Sequence, residues 1–210
     1  MNEIARGPIK IFGDSRSGNC LKVRWTADRI GVPFEWVEID IFRGDTRTDE
    51  FLAVNPSGQV PCILLSDGRS LAQSNAIALF LADGGVLVPS DRFARAKLME
   101  WLFWEQYSHE PYIAVRRARK RFQALDEDQI DPQLMVLGRR ALGRMEMQLL
   151  NSDYFLGSTL TLADIVLVAY TRVAHEGGFD LEEFPGVRSW VLRVERELGL
   201  EHALEPAISH

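Results

Sequence analysis

The sequence predicts a small α/β domain followed by an all-helical domain. Between residues 8 and 82, short apolar strands and helical patterns follow one another as strand, helix, strand, irregular segment, strand, strand, helix. Asp67-Gly68 is a tight-turn pair, so the last two strands are expected to form an antiparallel hairpin. Beyond residue 90 every periodic segment is helical. The first domain is therefore predicted to contain a mixed sheet with helices on its faces.

The first half of the α/β domain is a predicted strand–helix–strand unit. Residues 9–12 form a short apolar strand, and residues 19–30 carry apolar side chains at helical spacing. Gly31 and Pro33 end that helix, and residues 34–39 alternate in the manner of a second strand. Because the connection between the two strands is a helix, they are expected to pair in parallel.

The second half is a predicted strand–strand–helix unit. A short helix or turn over residues 45–54 leads to strands over residues 61–65 and 69–72. A helix over residues 74–82 follows. Ser74 is its expected N-cap, because serine is strongly preferred at that position.

Four helices are predicted in the second domain. The first, over residues 91–121, is expected to break or kink near Pro111, since proline removes a helical hydrogen bond. The others are predicted over residues 131–150, 161–173 and 187–198. The predicted domain limits are residues 8–82 and 91–204.

The start of the third of these helices carries a strong local signal. Thr161 is placed as the N-cap, and Asp164 three residues later is placed to reach back to it in a capping box. Leu160 and Ile165 occupy the positions of a hydrophobic staple. Together they predict a firmly fixed helix start.

A ligand site is indicated by residues 55–61, Asn-Pro-Ser-Gly-Gln-Val-Pro, followed by Gln73-Ser74. Pro61 opens an apolar strand, a place where proline is tolerated. A helix start lies a few residues further on, and the N–H groups and dipole of a helix N-terminus bind carboxylates. A small anionic ligand held by main chain is therefore expected, although Gln73-Ser74 alone is equally typical of a plain cap and turn.

Composition excludes several classes of function. A net charge of −6 argues against a general nucleic-acid binder, and the apolar runs are too short to cross a bilayer. The four histidines lack ligand spacing to another histidine, cysteine or carboxylate, so no metal is predicted. The Walker loop, Gly-x-Gly-x-x-Gly and Gly-x-Ser-x-Gly motifs are also absent from the sequence. No nucleic-acid, membrane or metal partner is expected.

The expected location is the cytoplasm. Residues 1–8 are short, mixed and polar, which is not the pattern of a secretory signal. Cys20 and Cys62 are too few for a disulfide framework, and a reducing compartment is the default for such a chain.

Four segments of the chain together resemble the cytosolic glutathione transferases, and among them the serine-type, bacterial-like members. Each segment alone is weak, but all of them in this order are specific. The resemblance implies a thioredoxin-like N-terminal domain that binds glutathione, an all-helical C-terminal domain, and a homodimer. The segments are Ser17-Gly-Asn-Cys-Leu-Lys-Val-Arg24, Asn55-Pro-Ser-Gly-Gln-Val-Pro61, Gln73-Ser-Asn-Ala-Ile77 and Leu160-Thr-Leu-Ala-Asp-Ile165.

The same resemblance implies which residues bind glutathione. Gln59 and Val60 correspond to loop residues that hold its backbone, with the Val60 main chain antiparallel to the cysteinyl unit. Pro61 corresponds to a cis proline. Gln73 and Ser74 correspond to the site of the γ-glutamyl carboxylate. Gln73 replaces an acidic residue of many members, so a charge pairing with the γ-glutamyl ammonium is lost.

Ser17 falls where serine-type members keep the hydroxyl that stabilises the glutathione thiolate. The alternative is a plain N-cap, since Ser17 precedes a helical pattern. Tyrosine is excluded from the role because Tyr107, the first in the chain, lies beyond the N-terminal domain. Cys20 is expected to be a buried structural cysteine, and Ser15 and Asn19 remain as alternative donors to the sulfur.

The expected activity is attack by the glutathione thiolate on a small apolar electrophile, a peroxide or a disulfide. A non-catalytic glutathione-binding or protein-interaction module on the same fold is the alternative from another class, because fold does not fix function. A glutathione-dependent isomerase or dehalogenase would share the first step. Trp101 and Trp104 are expected either to pack against the first domain or to form one wall of an electrophile pocket.

A dense basic run in the second domain is expected to be a solvated helix face. An anion-attracting rim over the active-site cleft is the alternative. Nucleic-acid binding is disfavoured by the acidic net charge. The run consists of Arg116, Arg117, Arg119, Lys120 and Arg121.

Overall fold

The computed structural model describes residues 8–204. The chain divides into two compact units at the Val88–Pro89 bond. Within the described range, no helix has the length and apolar character needed to cross a membrane. Over the same range, histidine, cysteine and acidic side chains form no cluster able to hold a metal ion.

A four-stranded mixed sheet forms the centre of the first unit. β1 pairs with β2 in parallel and with β3 antiparallel, while β3 pairs antiparallel with β4. The predicted parallel pair and the predicted hairpin are both confirmed. In spatial order the strands are β2 (Phe34–Glu38), β1 (Ile9–Gly13), β3 (Cys62–Leu64) and β4 (Ser70–Ala72).

The helices of this unit are α1 (Gly18–Ile30), α2 (Asp49–Val54) and α3 (Ser74–Ala82). Ile9 and Ile11 on β1 are buried while Lys10 between them is exposed, because successive side chains of a strand point to opposite faces. The buried side chains of β1 pack against apolar residues of β3, α1 and α3 in one core. Its buried members are Ile9, Ile11, Val23, Ala27, Ile63, Ile77 and Leu81.

The start of α3 differs from the prediction, because Ser74 is not its N-cap. Gln73 is the N-cap, with φ 72° and ψ 112°, and Ser74 is the first residue of the helix. The Gln73 carbonyl already accepts from the Ile77 N–H at 2.9 Å. The turn at Gln73 moves the cap back by one residue, and the Ser74 hydroxyl instead donates to Asn19 Oδ1 at 3.1 Å.

The second unit is helical, and β pairing in its described part is limited to an isolated bridge between Tyr154 and Gly157. The long helix predicted over residues 91–121 is interrupted by a π-helical turn, Glu105–His109, just before Pro111. Proline cannot donate the helical hydrogen bond at its position, so the break near Pro111 is confirmed. The helices are α4 (Arg92–Trp104), α5 (Glu110–Arg117), α6 (Pro132–Leu149), α7 (Leu162–Thr171) and α8 (Pro185–Leu198).

The start of α7 is fixed by the buried carboxylate of Asp164. Its Oδ2 accepts the N–H of Thr161 at 2.8 Å and the Thr161 hydroxyl at 2.9 Å, which confirms the predicted capping box. Its Oδ1 accepts the Phe155 N–H at 3.0 Å and the Trp190 indole N–H at 2.9 Å. Burial raises the pKa of Asp164, and these hydrogen bonds oppose that rise. One carboxylate therefore ties α7 to α8 and to the chain before it.

Trp101 is buried by contacts within the helical unit. Its ring meets the edge of Phe155 at a centroid distance of 4.6 Å and also contacts Trp104 at 5.1 Å. The guanidinium of Arg144 lies over the same ring, 4.6 Å from its centroid. These contacts, all within the helical unit, are sufficient to explain the burial of Trp101.

The expectation that the basic run is a solvated face is wrong for its first two members. Arg116 is buried, and it donates through Nε to Gly177 O at 2.8 Å and through a terminal nitrogen to Glu127. Arg117 Nε donates to Glu176 at 2.7 Å. The acids that neutralise these arginines lie outside the run, and no local pattern indicates that the fold brings them there.

Replacing Asp164 by alanine should lower the free energy of unfolding by at least about 3 kcal/mol. The substitution leaves the buried N–H donors of Thr161, Phe155 and Trp190 without their acceptor, and each such loss costs about 1–3 kcal/mol. Denaturant unfolding followed by tryptophan fluorescence measures the change. Asp91→Ala is the matched control: Asp91 caps α4 at the surface, so its loss should cost only about 1 kcal/mol. Equal losses would contradict a special role for Asp164.

Candidate functional site

The loop between β1 and α1 is organised by the buried side chain of Asp14. Its carboxylate accepts the Arg16 N–H at 2.8 Å, both Arg16 guanidinium donors at 2.9 and 2.6 Å, and the Ile41 N–H at 3.3 Å. Burial favours the protonated form, but these hydrogen bonds and the Arg16 charge hold the pKa of Asp14 below its usual value. The loop is thereby tied to the chain that follows β2.

Ser15 is held by a second carboxylate. Its N–H and hydroxyl donate to Glu38 Oε1 at 2.8 and 3.1 Å, and the Trp36 indole donates to Glu38 Oε2 at 2.6 Å. Burial tends to raise the pKa of Glu38, but these hydrogen bonds keep it below its usual value. The Ser15 hydroxyl, one of the alternative sulfur donors, is thus engaged by Glu38.

Ser17 is the N-cap of α1, half-buried and in an extended conformation with φ −87° and ψ 119°. Its N–H donates to Asp14 O at 3.0 Å. Among the described residues its hydroxyl makes no capping bond to the helix. Burial raises the pKa of Cys20 to about 11, against the opposing effect of the neighbouring Ser17 hydroxyl, so this thiol is protonated at neutral pH.

The loop of residues 55–61 is braced from within by Asn55. Its Nδ2 donates to Gln59 O at 2.7 Å, and its Oδ1 accepts the Ser57 hydroxyl at 2.7 Å. Gly58 has φ +60°, and a Cβ at this position would lie 3.0 Å from the backbone oxygen of Thr46. Glycine is therefore favoured at the point where this loop turns.

The end of the same loop presents main chain beside the sheet. The Val60–Pro61 peptide bond is cis, which confirms the prediction. The β1–β3 ladder begins at Cys62, opposite Phe12, so the main chain of Val60 lies beyond the paired part of β3. Gln59 is exposed at the surface before it. The thiol of Cys62 is buried, which raises its pKa to about 11.

Gln73 is held in an unusual backbone conformation. Its φ of 72° is positive, a region that residues other than glycine rarely adopt and that costs about 1–3 kcal/mol. Its side chain is exposed at the start of α3. An observed outlier of this kind supports a hypothesis of function at the position.

Asn19 and Ser74 bring the starts of α1 and α3 together. Asn19 Oδ1 accepts the Ser74 hydroxyl at 3.1 Å and the ammonium of Lys22 at 2.7 Å. Lys22 and Ser74 are buried, and Asn19 is half-buried. Two helix N-termini thus converge where Ser17 and Gln73 also lie. Such an arrangement can bind a carboxylate and donate hydrogen bonds to a second anionic group.

Two family comparisons match most of the chain. Residues 16–83 match the glutathione S-transferase N-terminal domain, and residues 102–197 match the glutathione S-transferase C-terminal domain. The chain belongs to the glutathione S-transferase family. Its two units have the fold of that family, a thioredoxin-like α/β domain with a four-stranded mixed sheet and a helical domain.

Individual glutathione S-transferases agree over nearly the whole chain. A glutathione S-transferase structure from Pseudomonas fluorescens is 44% identical with a TM-score of 0.89, over 95% of this chain and 100% of that one. Mouse glutathione S-transferase theta-3 is 31% identical over 91% of this chain and 83% of its own. The structure of Ure2p in complex with glutathione shares the fold, with a TM-score of 0.81 at 23% identity, over 91% of this chain and 95% of that one.

The sequence pattern of this glutathione S-transferase did not mark Lys22 or Asp14 as site residues. Lys22 lies within an amphipathic helix, where a lysine is normally solvated. The available signal was its spacing, since residues three apart on a helix are neighbours and Asn19 precedes Lys22 by three positions. Asp14 pairs locally with Arg16, two residues on, but its bond to Ile41 joins residues that are distant in sequence.

The backbone at Gln73 should make glycine more stable than alanine there. Glycine adopts positive φ without steric cost, so Gln73→Gly is expected to exceed Gln73→Ala by about 1 kcal/mol in unfolding free energy. Denaturant unfolding of both variants tests this. At Gln133, exposed in the first turn of α6, the order should reverse, because glycine is the poorer helix former. The same order at both positions would contradict strain at Gln73.

Proposed function

We propose that the protein is a serine-type glutathione transferase that converts the glutathione thiol to a thiolate for attack on a small apolar electrophile or a peroxide. The observation that carries the proposal is the position of Ser17. Its hydroxyl stands at the N-terminus of α1, and its N–H donates to the main-chain carbonyl of Asp14. A cytoplasmic location is proposed with it, in keeping with Cys20 and Cys62 as free, buried cysteines.

Glutathione is proposed to lie across the starts of both helices and the cis-proline loop. The Val60 main chain, beyond the paired part of β3, would take the cysteinyl unit as an antiparallel strand, with Gln59 beside it and Pro61 fixing the turn. The Gln73 amide and the N–H of Ser74 at the start of α3 would bind the γ-glutamyl carboxylate. The helix dipole adds to the attraction for this anion.

Ser17 would supply the catalytic hydrogen bond. A free thiol has a pKa near ~8.5 and is mostly protonated at neutral pH. A hydrogen bond to a charged group is worth about 1.5–3 kcal/mol, which corresponds to a pKa lowered by about one to two units.

The rival donors are less suited to this role. The Ser15 hydroxyl donates to Glu38, and redirecting it to the sulfur would break that bond. The thiol of Cys20 is buried and its pKa is raised to about 11, so it is neither a thiolate nor accessible. Asn19 is compatible with a supporting contribution.

Turnover and the titration of bound glutathione test the proposal together. Purified protein should conjugate glutathione to standard aromatic halides or reduce organic hydroperoxides; binding without turnover would favour a non-catalytic module. Ser17→Ala should bind glutathione nearly as well but raise the pKa of the bound thiol by about one to two units. The thiolate absorbance measured against pH reports this. Identical titration curves would show that Ser17 is only a helix cap.

A homodimer is part of the proposal. Phe93 and Phe103 of α4 and Tyr107 just beyond it are 74%, 69% and 82% exposed, and aromatic residues are enriched at interfaces. The basic run gives less support than its sequence suggests, because Arg116 and Arg117 pair with acids of their own chain.

Light scattering at micromolar concentration should give about twice the chain mass of 23.8 kDa. Phe103→Glu places a charge in the proposed contact and should shift the population to monomer. Val136→Glu adds the same charge at an exposed valine of α6 and should leave the dimer intact. Dissociation by the Val136 variant alone would place the interface elsewhere, and a monomeric wild type would refute the dimer.

A further inference from the structure

One exposed carboxylate neutralises two cations of the basic run in the helical unit. A terminal nitrogen of Arg116 donates to Glu127 Oε1, and Lys120 Nζ donates to Glu127 Oε2 at 3.3 Å. The side chain of Glu127 is 63% exposed, whereas that of Arg116 is 1% exposed. These hydrogen bonds, that of Arg116 above all, hold the pKa of Glu127 below its usual value, so it is an anion at neutral pH. A buried guanidinium is thus neutralised by a carboxylate that water can reach.

The guanidinium of Arg116 is only partly satisfied. Its Nε donates to Gly177 O at 2.8 Å and its Nη2 donates to Glu127, but Nη1 is buried without an acceptor among the described residues. Most buried polar groups in proteins have a partner, and an unpaired donor on a charged group is costly. Both oxygens of Glu127 are already engaged, one with Arg116 Nη2 and one with Lys120. A further acceptor oxygen is therefore needed to satisfy this cation.

Gly178 leaves space beside both cations. Its φ of +87° lies in the region that favours glycine, so no side chain projects from this turn. The point where a Cβ would stand is 3.3 Å from Lys120 Nζ and 3.9 Å from Arg116 Nη2. Gly178 is itself exposed, so the space beside these two nitrogens can be reached from solvent.

We propose that Arg116, Lys120 and the turn at Gly178 form a binding site for a phosphate or sulfate group, and that Glu127 occupies this site in the absence of the ligand. Such a group carries at least three terminal oxygens in a tetrahedral arrangement. One oxygen could accept from Arg116 Nη1 while the others accept from Nη2 and from Lys120 Nζ. Arginine suits this ligand because its donors form a rigid fork. The site lies within the helical unit and does not rest on the function proposed for the first unit.

The charges around the site favour this exchange. Glu127 is the one acid that pairs with Arg116 and Lys120 among the described residues, so its departure leaves two positive charges. A phosphate monoester carries a charge of about −1.5 to −2 at pH 7 and would neutralise both. Asp126 and Asp128, the exposed neighbours of Glu127, would repel such an ion at short range. Binding would therefore be coupled to withdrawal of this acidic loop from the basic run.

Titration of the protein with inorganic phosphate and inorganic sulfate, at an ionic strength held constant with sodium chloride, tests the site. The amide NMR signals of Gly177 and Gly178 should shift and saturate. Glu127→Gln keeps the shape of the side chain but removes the competing charge, so the affinity should rise about tenfold or more. Lys120→Met removes one charged donor and should lower the affinity about tenfold. If neither the wild type nor Glu127→Gln shows saturable shifts at these glycines, the proposal is overturned.

Arg119→Met is the matched control, because it removes an exposed cation of the same run whose guanidinium contacts Gln123 and not Glu127. Its affinity for phosphate should equal that of wild type. A loss as large as that of Lys120→Met would indicate general attraction to a basic surface and would overturn the site. Phenyl phosphate distinguishes the two sources of the ligand. An affinity above that of inorganic phosphate identifies a phosphate ester as the ligand, and an equal or lower affinity identifies the free anion.

Discussion

The buried carboxylate of Asp14 is the interaction on which the candidate site depends. It holds Arg16 through both the main chain and the guanidinium, and it also accepts the N–H of Ile41 beyond β2. The N–H of Ser17 then bonds to the Asp14 carbonyl at 3.0 Å, so α1 begins at a fixed point relative to β1 and β2. A hydroxyl placed by main chain can stabilise a charge that develops at one point, because little of its position is lost to motion. The chemistry proposed for Ser17 therefore depends on a buried carboxylate that bonds to Arg16 and Ile41.

In the second half of the same unit, the candidate site is formed more by backbone geometry than by side chains. The loop of residues 55–61 turns at Gly58 and is stabilised by hydrogen bonds of Asn55. The main chain of Val60, which precedes the cis bond to Pro61, lies beyond the paired part of β3. Gln73 then adopts a positive φ at the start of α3. Main-chain groups fixed in this way suit a peptide ligand with charged ends. They can hydrogen-bond to the backbone and the carboxylate of the ligand without requiring particular side chains of the protein.

The sequence was sufficient for the fold because its signals are local. Asp67-Gly68 predicts a hairpin, and Pro111 predicts a helix break. Thr161 and Asp164 predict a helix start. Each of these features depends only on residues that are close in sequence. The errors concern contacts between distant residues. Ser74 was expected to cap its own helix, but its hydroxyl donates to Asn19, 55 positions earlier. Arg116 was expected in solvent, but Gly177 and Glu127 surround it. The burial of Lys22 could not be predicted for the same reason, since burial of a lysine is decided by what packs over it.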